Sequence, residues 1–353
     1  MSHAQIDSII QGHKCLFLGV AKLEEDVLSS SRFEKWLQEG RQGSMHWLEK
    51  YSLQRKNSSL VEAGCTHSIL MAIPYTLPQS QGAVESDFET SKIARYARFE
   101  DYHKFAARVG TAVCKELQSQ FDGEQLLKWR VVSDTAPILE RALHASFSAG
   151  FIGKNTMFIH PKWGSWLLLM EILTNYAFST EKVAIKSLAR SSEGGCGSCK
   201  RCQVHCPTGA LNEDYTIDAR KCLSYLTIEN RSAIDLKYWK HFAKYWYGCD
   251  ICQNVCPYNR GPKLNSPLRL KDNSQRDLFD IVQMSQKQYE DWFGGTAMTR
   301  AKRNGLRRNA FIAMAASKHL RIQEALHIMT NDGDSVLNET ASQYVMYRQG
   351  DYN

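Results

Sequence analysis

The chain has 353 residues, 43% apolar and 23% charged, with a formal charge of +7 and eleven cysteines. That length supports two or three domains with cores of their own, so disulfide staples are not needed for stability. The longest unbroken apolar run, Ala310 to Ala316, is far shorter than the about 20 residues of a membrane-spanning helix. The N-terminus carries Asp7 and no basic stretch followed by an apolar one, so the expectation is a cytoplasmic protein with no membrane partner.

In chain order, Ser31 to Leu37 reads as a helix, Ser68 to Pro74 as a strand, Tyr102 to Leu117 as a helix and Trp129 to Val132 as a strand. Pro137 suits the first turn of a helix from Ile138 to Ala149, closed by Gly150. Met157 to His160 and Ser165 to Thr174 read as paired strands joined by a turn at 161–164. These elements predict an α/β unit with a mixed sheet over residues 1–185. Residues 181–195 lose apolar periodicity and end in Ser191-Ser192-Glu193-Gly194-Gly195, a linker signal. From Arg269 the pattern is helical, which predicts a second unit over 186–262 and a helical module over 263–353.

Eight of the eleven cysteines fall between Cys196 and Cys256. Cys196-x2-Cys199-x2-Cys202-x3-Cys206-Pro207 is the bacterial ferredoxin run, in which the fourth cysteine reaches across to a second 4Fe-4S cluster. Cys249-x2-Cys252-x3-Cys256-Pro257 is the same run one ligand short, and Cys222 lies between the two. Pseudo-symmetry then assigns Cys196, Cys199, Cys202 and Cys256 to one cluster and Cys206, Cys222, Cys249 and Cys252 to the other. The alternative is zinc held by paired CxxC units, which does not require the two Cys-Pro tails. Cys15, Cys65 and Cys114 read as buried small hydrophobes. A two-cluster wire needs only roughly 60 residues, so most of the chain uses the electrons for something else.

The charge is equally local. Residues 295–321 hold seven Lys or Arg and no acid, and the rest of the chain balances at 37 of each sign. Leu306, Ala310, Ala313, Met314 and Ser317 share one helical face, with Arg307 and Arg308 pointing elsewhere and Arg300, Lys302 and Arg303 preceding the helix. The segment reads either as a solvated face or as a basic shoulder that attracts phosphates.

Asp134 follows the strand Trp129–Val132 at a turn, where a carboxylate is either a helix N-cap or a reactive group. A cap stays ionised, whereas a proton donor at neutral pH needs its pKa raised from about 3.9. The following Gly150 to Thr156 turn is rich in donors but too poor in glycine for a phosphate loop.

Together Asp134-Thr135-Ala136-Pro137-Ile138-Leu139-Glu140-Arg141, Gly153-Lys154-Asn155-Thr156, Gly164-Ser165, the ferredoxin run, Cys222 to Glu229, Gly248 to Gln253 and Gly305 to Ala310 resemble the epoxyqueuosine reductase family. The likeness runs from about Gly43, through Ala94 to Ala97 and Asp101-Tyr102-His103, to Ala316. It implies an N-terminal cobalamin-binding domain, a ferredoxin-like domain with two 4Fe-4S clusters and a helical HEAT-like tail that grips tRNA. The implied reaction reduces the epoxide of epoxyqueuosine, at the wobble position of the anticodon, to queuosine. It implies Asp134 as proton donor, and Lys154, Asn155, Ser224, Cys249 and Asp250 in the stretches that touch the corrin. Arg300, Lys302, Arg303, Arg307 and Arg308 are the expected phosphate contacts, with Arg95, Arg98 and Arg141 reaching the anticodon loop. The expected partners are tRNA and an external donor such as a flavodoxin or ferredoxin, and the chain is expected to be a monomer.

Two departures qualify the likeness. Gly150-Phe151-Ile152 stands where a Gly-Trp pattern is usual, and the chain continues only to Asn353 after the basic helix, which argues against a long repeat array. Asp101 to Ala106 approximates a cobalt-ligand motif but lacks its glycine, so His103 reads as helix surface or a substrate contact, not a metal ligand. Two other readings compete: a reductive dehalogenase, which leaves the basic segment idle, and a ferredoxin-like electron carrier, which leaves Asp134 idle as well.

Overall fold

The computed structural model describes residues 2–77, 93–119, 127–148, 150–178, 195–261 and 264–350. Nearly all of the expected linker lies outside them. The N-terminal unit comprises α1 (His3–Gly12), β1 (Leu16–Lys22), α2 (Val27–Gln38), α3 (Ser52–Lys56), β2 (His67–Pro74), α4 (Tyr102–Ser119), β3 (Trp129–Val132), α5 (Glu140–Phe147), β4 (Phe151–Ile152), β5 (Phe158–Ile159) and β6 (Leu167–Thr174). The continuous apolar run of β2 is buried along its whole length, as expected of a strand covered on both faces. Helix α4 carries its apolar residues at helical spacing, and Phe105, Val109 and Val113 pack on Met71, Ile73 and Met170 of the sheet.

The sheet differs from the expected mixed one. Its order is β1-β2-β6-β3 and every pairing is antiparallel. Strands β2 and β3 do run the same way, joined across α4, which is the pattern that suggests a mixed sheet. Strand β6 enters between them, however, with Ile69 opposite Ile172 and Val131 opposite Ile172 on its other edge. The expected pairing of Met157–His160 with Ser165–Thr174 also does not form: β5 pairs with β4. The long apolar β6 buries more surface in the main sheet than a short hairpin would allow.

The remaining chain is helical: α6 (Arg201–Val204), α7 (Leu223–Ile228), α8 (Ile251–Asn254), α9 (Leu278–Gln283), α10 (Gln286–Phe293), α11 (Lys302–Ala316), α12 (Ile322–Thr330) and α13 (Ser335–Gln349). Among the described residues no helix is long and apolar enough to cross a membrane. One core joins Trp239, Phe242 and Trp246 to α9, α11 and α13.

Helix α11 lies at the centre of that core, and every residue from Leu306 to Ala315 is buried. This corrects the reading of Arg307 and Arg308 as phosphate contacts. A helix covered on all sides has no outward face on which a basic shoulder can stand. Arg307 donates from Nε to the Val282 carbonyl at 2.7 Å and pairs with Asp332 at 2.7 Å. Arg308 donates to the carbonyls of Leu226, Asn230 and Ser232 at 2.9, 2.9 and 2.6 Å. Both guanidinium groups tie α11 to its neighbours from inside.

Candidate active site beside the cysteine quartets

Strand β3 ends at Val132, and Ser133 pins the exit by donating from Oγ to the Leu169 carbonyl at 2.7 Å. Asp134 then takes φ +62°, a left-handed conformation that aspartate tolerates better than most side chains. It is not a cap. Helix α5 starts only at Glu140, with Leu139 in the cap position and no side-chain cap bond. The Asp134 N–H instead donates to Glu140 Oε1 at 2.5 Å, leaving the carboxyl free to face a cavity.

Three groups surround that carboxyl. Tyr102 donates its hydroxyl to Oδ2 at 3.1 Å, His103 Nε2 lies 3.9 Å from the same oxygen, and His103 Nδ1 is 2.8 Å from Asp101 Oδ1. The neighbouring His103 holds the Asp134 carboxyl below its usual range against the opposing effect of burial, helped by Tyr102 and Arg300. The raised pKa expected of a lone proton donor is therefore not what the structure shows. Burial works against a charged His103, but Asp101 and Asp134 outweigh it and bring its pKa up to about 9. At neutral pH the proton of this group sits on the imidazole.

Behind the loop is a second titratable cluster. Glu171, in the middle of β6, is fully buried with Oε1 2.9 Å from His144 Nε2. Burial, with the charge of Asp134 behind it, pushes Glu171 up to about 8, and burial with Glu171 and Asp134 raises Glu140 as well. Burial pulls His144 down to about 3, so it is neutral. Two carboxyls so placed retain a proton between them at neutral pH, and Glu140 passes its hold to the Asp134 backbone.

The cavity faced by Asp134 has a volume of about 1170 Å³ and runs between α2, the Asp134 loop, the 150–156 turn and the cysteine-bearing segment. That exceeds the roughly 300–1,000 Å³ of an ordinary small-ligand pocket and suits a large macrocycle. Its walls combine apolar surface from Phe33, Trp36, Ile138 and Phe151 with Lys154 and Arg141. Cys196 lies in the wall, and its sulfur accepts the Lys154 N–H at 3.3 Å. A redox centre at Cys196 would therefore adjoin whatever fills the cavity.

The eight clustered cysteines are all free thiols. Their mutual electrostatic effects reveal the neighbours: Cys202 feels Cys196 and Cys199, and Cys256 feels the same two. Cys222 feels Cys206, Cys249 feels Cys222 and Cys206, and Cys252 feels Cys249, Cys222 and, more weakly, Cys202. Cys202 and Cys252 thus lie where the two foursomes of the pseudo-symmetric reading would meet. Among the described residues no three His, Cys, Asp or Glu side chains converge as tightly as the ligands of a single ion do; ligands of a cube stand further apart, each on its own iron corner. Cys15, Cys65 and Cys114 are buried elsewhere.

Not every expected contact reaches the cavity. Lys154 is buried in its wall with Nζ 3.2 Å from Asp214, and Asn155 lies behind it, donating to the Cys252 carbonyl at 3.5 Å. Neither Ser224, two residues after Cys222, nor Cys249 lines the cavity. Asp250 is only 2% exposed and accepts the Arg95 N–H at 2.7 Å, so it joins two segments of backbone instead of meeting a ligand. Arg95 lies over the Trp166 ring, Arg98 pairs with Asp272, and Arg303 donates twice to the Met284 carbonyl. Arg141 donates to the Thr156 carbonyl at 2.6 Å from the cavity wall. Arg300 and Lys302 are exposed, but Arg300 is forked onto Glu229 at 2.8 and 3.0 Å.

Sequence reasoning undervalued His103 and Tyr102, although both stand in a quoted motif, and missed the Glu171–His144 pair. Glu171 did leave a signal: it is the one charged residue in Leu167-Leu-Leu-Met-Glu-Ile-Leu-Thr174.

A cavity with a carboxylate at one wall and a cysteine of a ferredoxin run at another has the layout of an iron–sulfur oxidoreductase. Residues 195–259 match the family described as a 4Fe-4S double cluster binding domain, and residues 55–135 match "Epoxyqueuosine reductase QueG, DUF1730". The chain is 32% identical over 309 residues to an epoxyqueuosine reductase of Gloeobacter violaceus, covering 85% of this chain and 92% of that one. It is also 32% identical over 285 residues to the Vibrio cholerae enzyme, covering 80% and 74%. The solved epoxyqueuosine reductase of Streptococcus thermophilus superposes with a TM-score of 0.81 at 26% identity, over 97% of this chain and 89% of that one. A solved epoxyqueuosine reductase with an epoxyqueuosine-modified tRNA-Tyr stem loop shares the fold, with a TM-score of 0.77 at 22% identity, over 98% and 90% of the two chains. The chain belongs to the epoxyqueuosine reductase family.

Proposed function

We propose that this protein reduces the epoxide of epoxyqueuosine in tRNA to the alkene of queuosine, with cobalamin in the large cavity and two 4Fe-4S clusters on the cysteine foursomes. The observation that carries the reading is the meeting, at one cavity, of the Asp134 carboxyl and the Cys196 thiol. The overall change takes up two electrons and two protons and releases the epoxide oxygen as water. Cobalamin supplies a low-valent cobalt able to open the strained ring.

The chain's own residues do the rest. Cys196, Cys199, Cys202 and Cys256 hold the cluster beside the cavity, and Cys206, Cys222, Cys249 and Cys252 hold the one behind it. Lys154 and Arg141 face the cofactor from the wall. Asp134 stands between the cavity and His103, so a proton held on the imidazole passes to the departing oxygen through the carboxyl. Asp101 fixes the ring so that Nε2 points at Asp134. The same reading has 1–185 as cofactor domain, 186–262 as electron domain and 263–353 as tRNA-binding helices, in a cytoplasmic monomer reduced by a flavodoxin or ferredoxin.

The test is turnover of epoxyqueuosine-modified tRNA by reduced, cofactor-loaded protein, read by nucleoside mass spectrometry. Wild type should form queuosine, with a rate that falls as pH rises through about 9, where His103 loses its proton. Asp134→Asn should keep cobalt and iron but lose at least about 100-fold in rate. An active Asn variant would remove Asp134 from the chemistry, and no queuosine from wild type would remove the function.

A further inference from the structure

Arg300 is the most conspicuous cation of the basic segment that remains exposed, yet Glu229 already neutralises it. What it offers outward is a flat, delocalised surface held at a fixed angle by a two-point fork. Its Cζ lies 5.5 Å from the centroid of the Trp47 ring. Trp47 is 42% exposed, which is a large apolar area to leave in water at the mouth of a site. It lines the cavity that Asp134 faces, and Arg300 is near enough to Asp134 for its charge to be felt there.

The turn that leads into the tryptophan is held in place. Gly43, at φ +60°, lies so close to Tyr225 that a Cβ would stand 2.5 Å from the hydroxyl. The Ser44 N–H donates to that hydroxyl at 2.8 Å, and the Ser44 Oγ lies equally near. Gln42 donates to Glu49 at 3.0 Å across the base of the turn. A rigid aromatic ring with an arginine plane beside it suits a ligand with a π-face of its own.

We propose that Trp47 and Arg300 form a stacking platform for an unpaired nucleobase next to the modified nucleotide of the RNA loop. This rests on the substrate reading above and adds its local contact. A nucleotide that leaves its stack to enter an enclosed site exposes its neighbour's face, and an aromatic ring or an arginine plane replaces the lost contact. Such stacking carries no ionic contact, so its contribution is insensitive to salt, unlike a phosphate contact.

The test uses the full chain loaded with clusters and cobalamin, and an epoxyqueuosine-containing anticodon stem-loop with either intact or abasic nucleotides flanking the modified one. Fluorescence anisotropy gives Kd over a salt series for wild type, Trp47→Ala and Trp47→Phe. Trp47→Ala should weaken binding about 5- to 100-fold with the salt slope unchanged, and Trp47→Phe should lose less than about fivefold. The abasic loop should weaken wild type by a similar factor and Trp47→Ala no further. Equal affinity of Trp47→Ala and wild type overturns the platform. So does a salt slope reduced by about one, or loss of bound cobalamin absorbance with RNA affinity kept. Trp47-dependent stacking without epoxide reduction would remove the functional reading and leave the platform. Absence of RNA binding by wild type would remove both.

Discussion

Arg308→Ala separates two accounts of the basic segment. In the structure its guanidinium is 1% exposed and supplies the donors for three backbone carbonyls, those of Leu226, Asn230 and Ser232. Removing it orphans two buried acceptors, the Leu226 carbonyl and Asn309 Oδ1, whereas Asn230 is half-buried and the exposed Ser232 carbonyl keeps Asn230 Nδ2 at 3.2 Å. Each orphaned buried acceptor costs about 1–3 kcal/mol, and the lower figure applies where neighbours relax, giving about 2 kcal/mol in all. At about 2.1 cal/mol/K of unfolding entropy per residue, that lowers the Tm of a 353-residue chain by about 3 °C. A phosphate contact behaves differently: its loss spares Tm and lowers the slope of log K for RNA against log salt by about one. Calorimetry, together with RNA binding over a salt series well below Tm, distinguishes them. Arg308→Lys should fall between, because a single ammonium cannot reproduce the fork that meets three carbonyls. An Arg308→Ala protein with unchanged Tm and a shallower salt slope would falsify the buried-tie account.

Two further outcomes follow from buried groups. Glu171 is raised from 4.5 to about 8 on folding, so its stabilising proton is fully present below about pH 4.5 and stability falls as pH rises towards about 8. Glu171→Gln cannot titrate and should flatten the fall in Tm between pH 5 and 9, whereas Glu171→Leu should lower Tm throughout by leaving His144 and Glu140 without their partner; parallel curves for wild type and Gln would sink this. Cys222→Ala removes one ligand of the second foursome and should leave about four irons per chain instead of about eight. Unchanged iron, counted against protein concentration, would show that Cys222 is not a ligand.

Much of the fold was legible where one pattern dominated. The spacing of apolar residues placed α4 to within two residues of its end, and the apolar run of β2 located a central strand. The cysteine spacing set the eight clustered cysteines apart from Cys15, Cys65 and Cys114, which the folded chain buries in the cores of the N-terminal unit. Strand pairing was not legible, because the residues that make β2 and β3 parallel say nothing about β6 inserting between them. The helix after Asp134 was expected to begin at Ile138, and its true start at Glu140 turned a possible cap into a free carboxylate. Arg307 and Arg308 misled for a simple reason. Seven consecutive apolar residues after them cover almost two turns, so the helix is apolar on every side, and a guanidinium on such a helix must find carbonyls.

The depressed pKa of Asp134 sharpens its proposed role. A single carboxyl that keeps its proton at neutral pH needs a dry, apolar site, but this one has Tyr102, His103 and Arg300 around it. The proton is stored one group further back, on a His103 whose other nitrogen is fixed by Asp101 at 2.8 Å. In the proposed reaction Asp134 would then be the carrier in a chain of Asp101, His103 and Asp134, with acid strength set by the group as a whole. The Glu140–Glu171 pair reaches Asp134 through the backbone as well as through charge, since Glu140 grips the Asp134 N–H while Tyr102 holds the carboxyl. Two titratable clusters therefore meet at one residue: His103 on the side of its carboxyl, and the buried glutamates on the side of its backbone N–H.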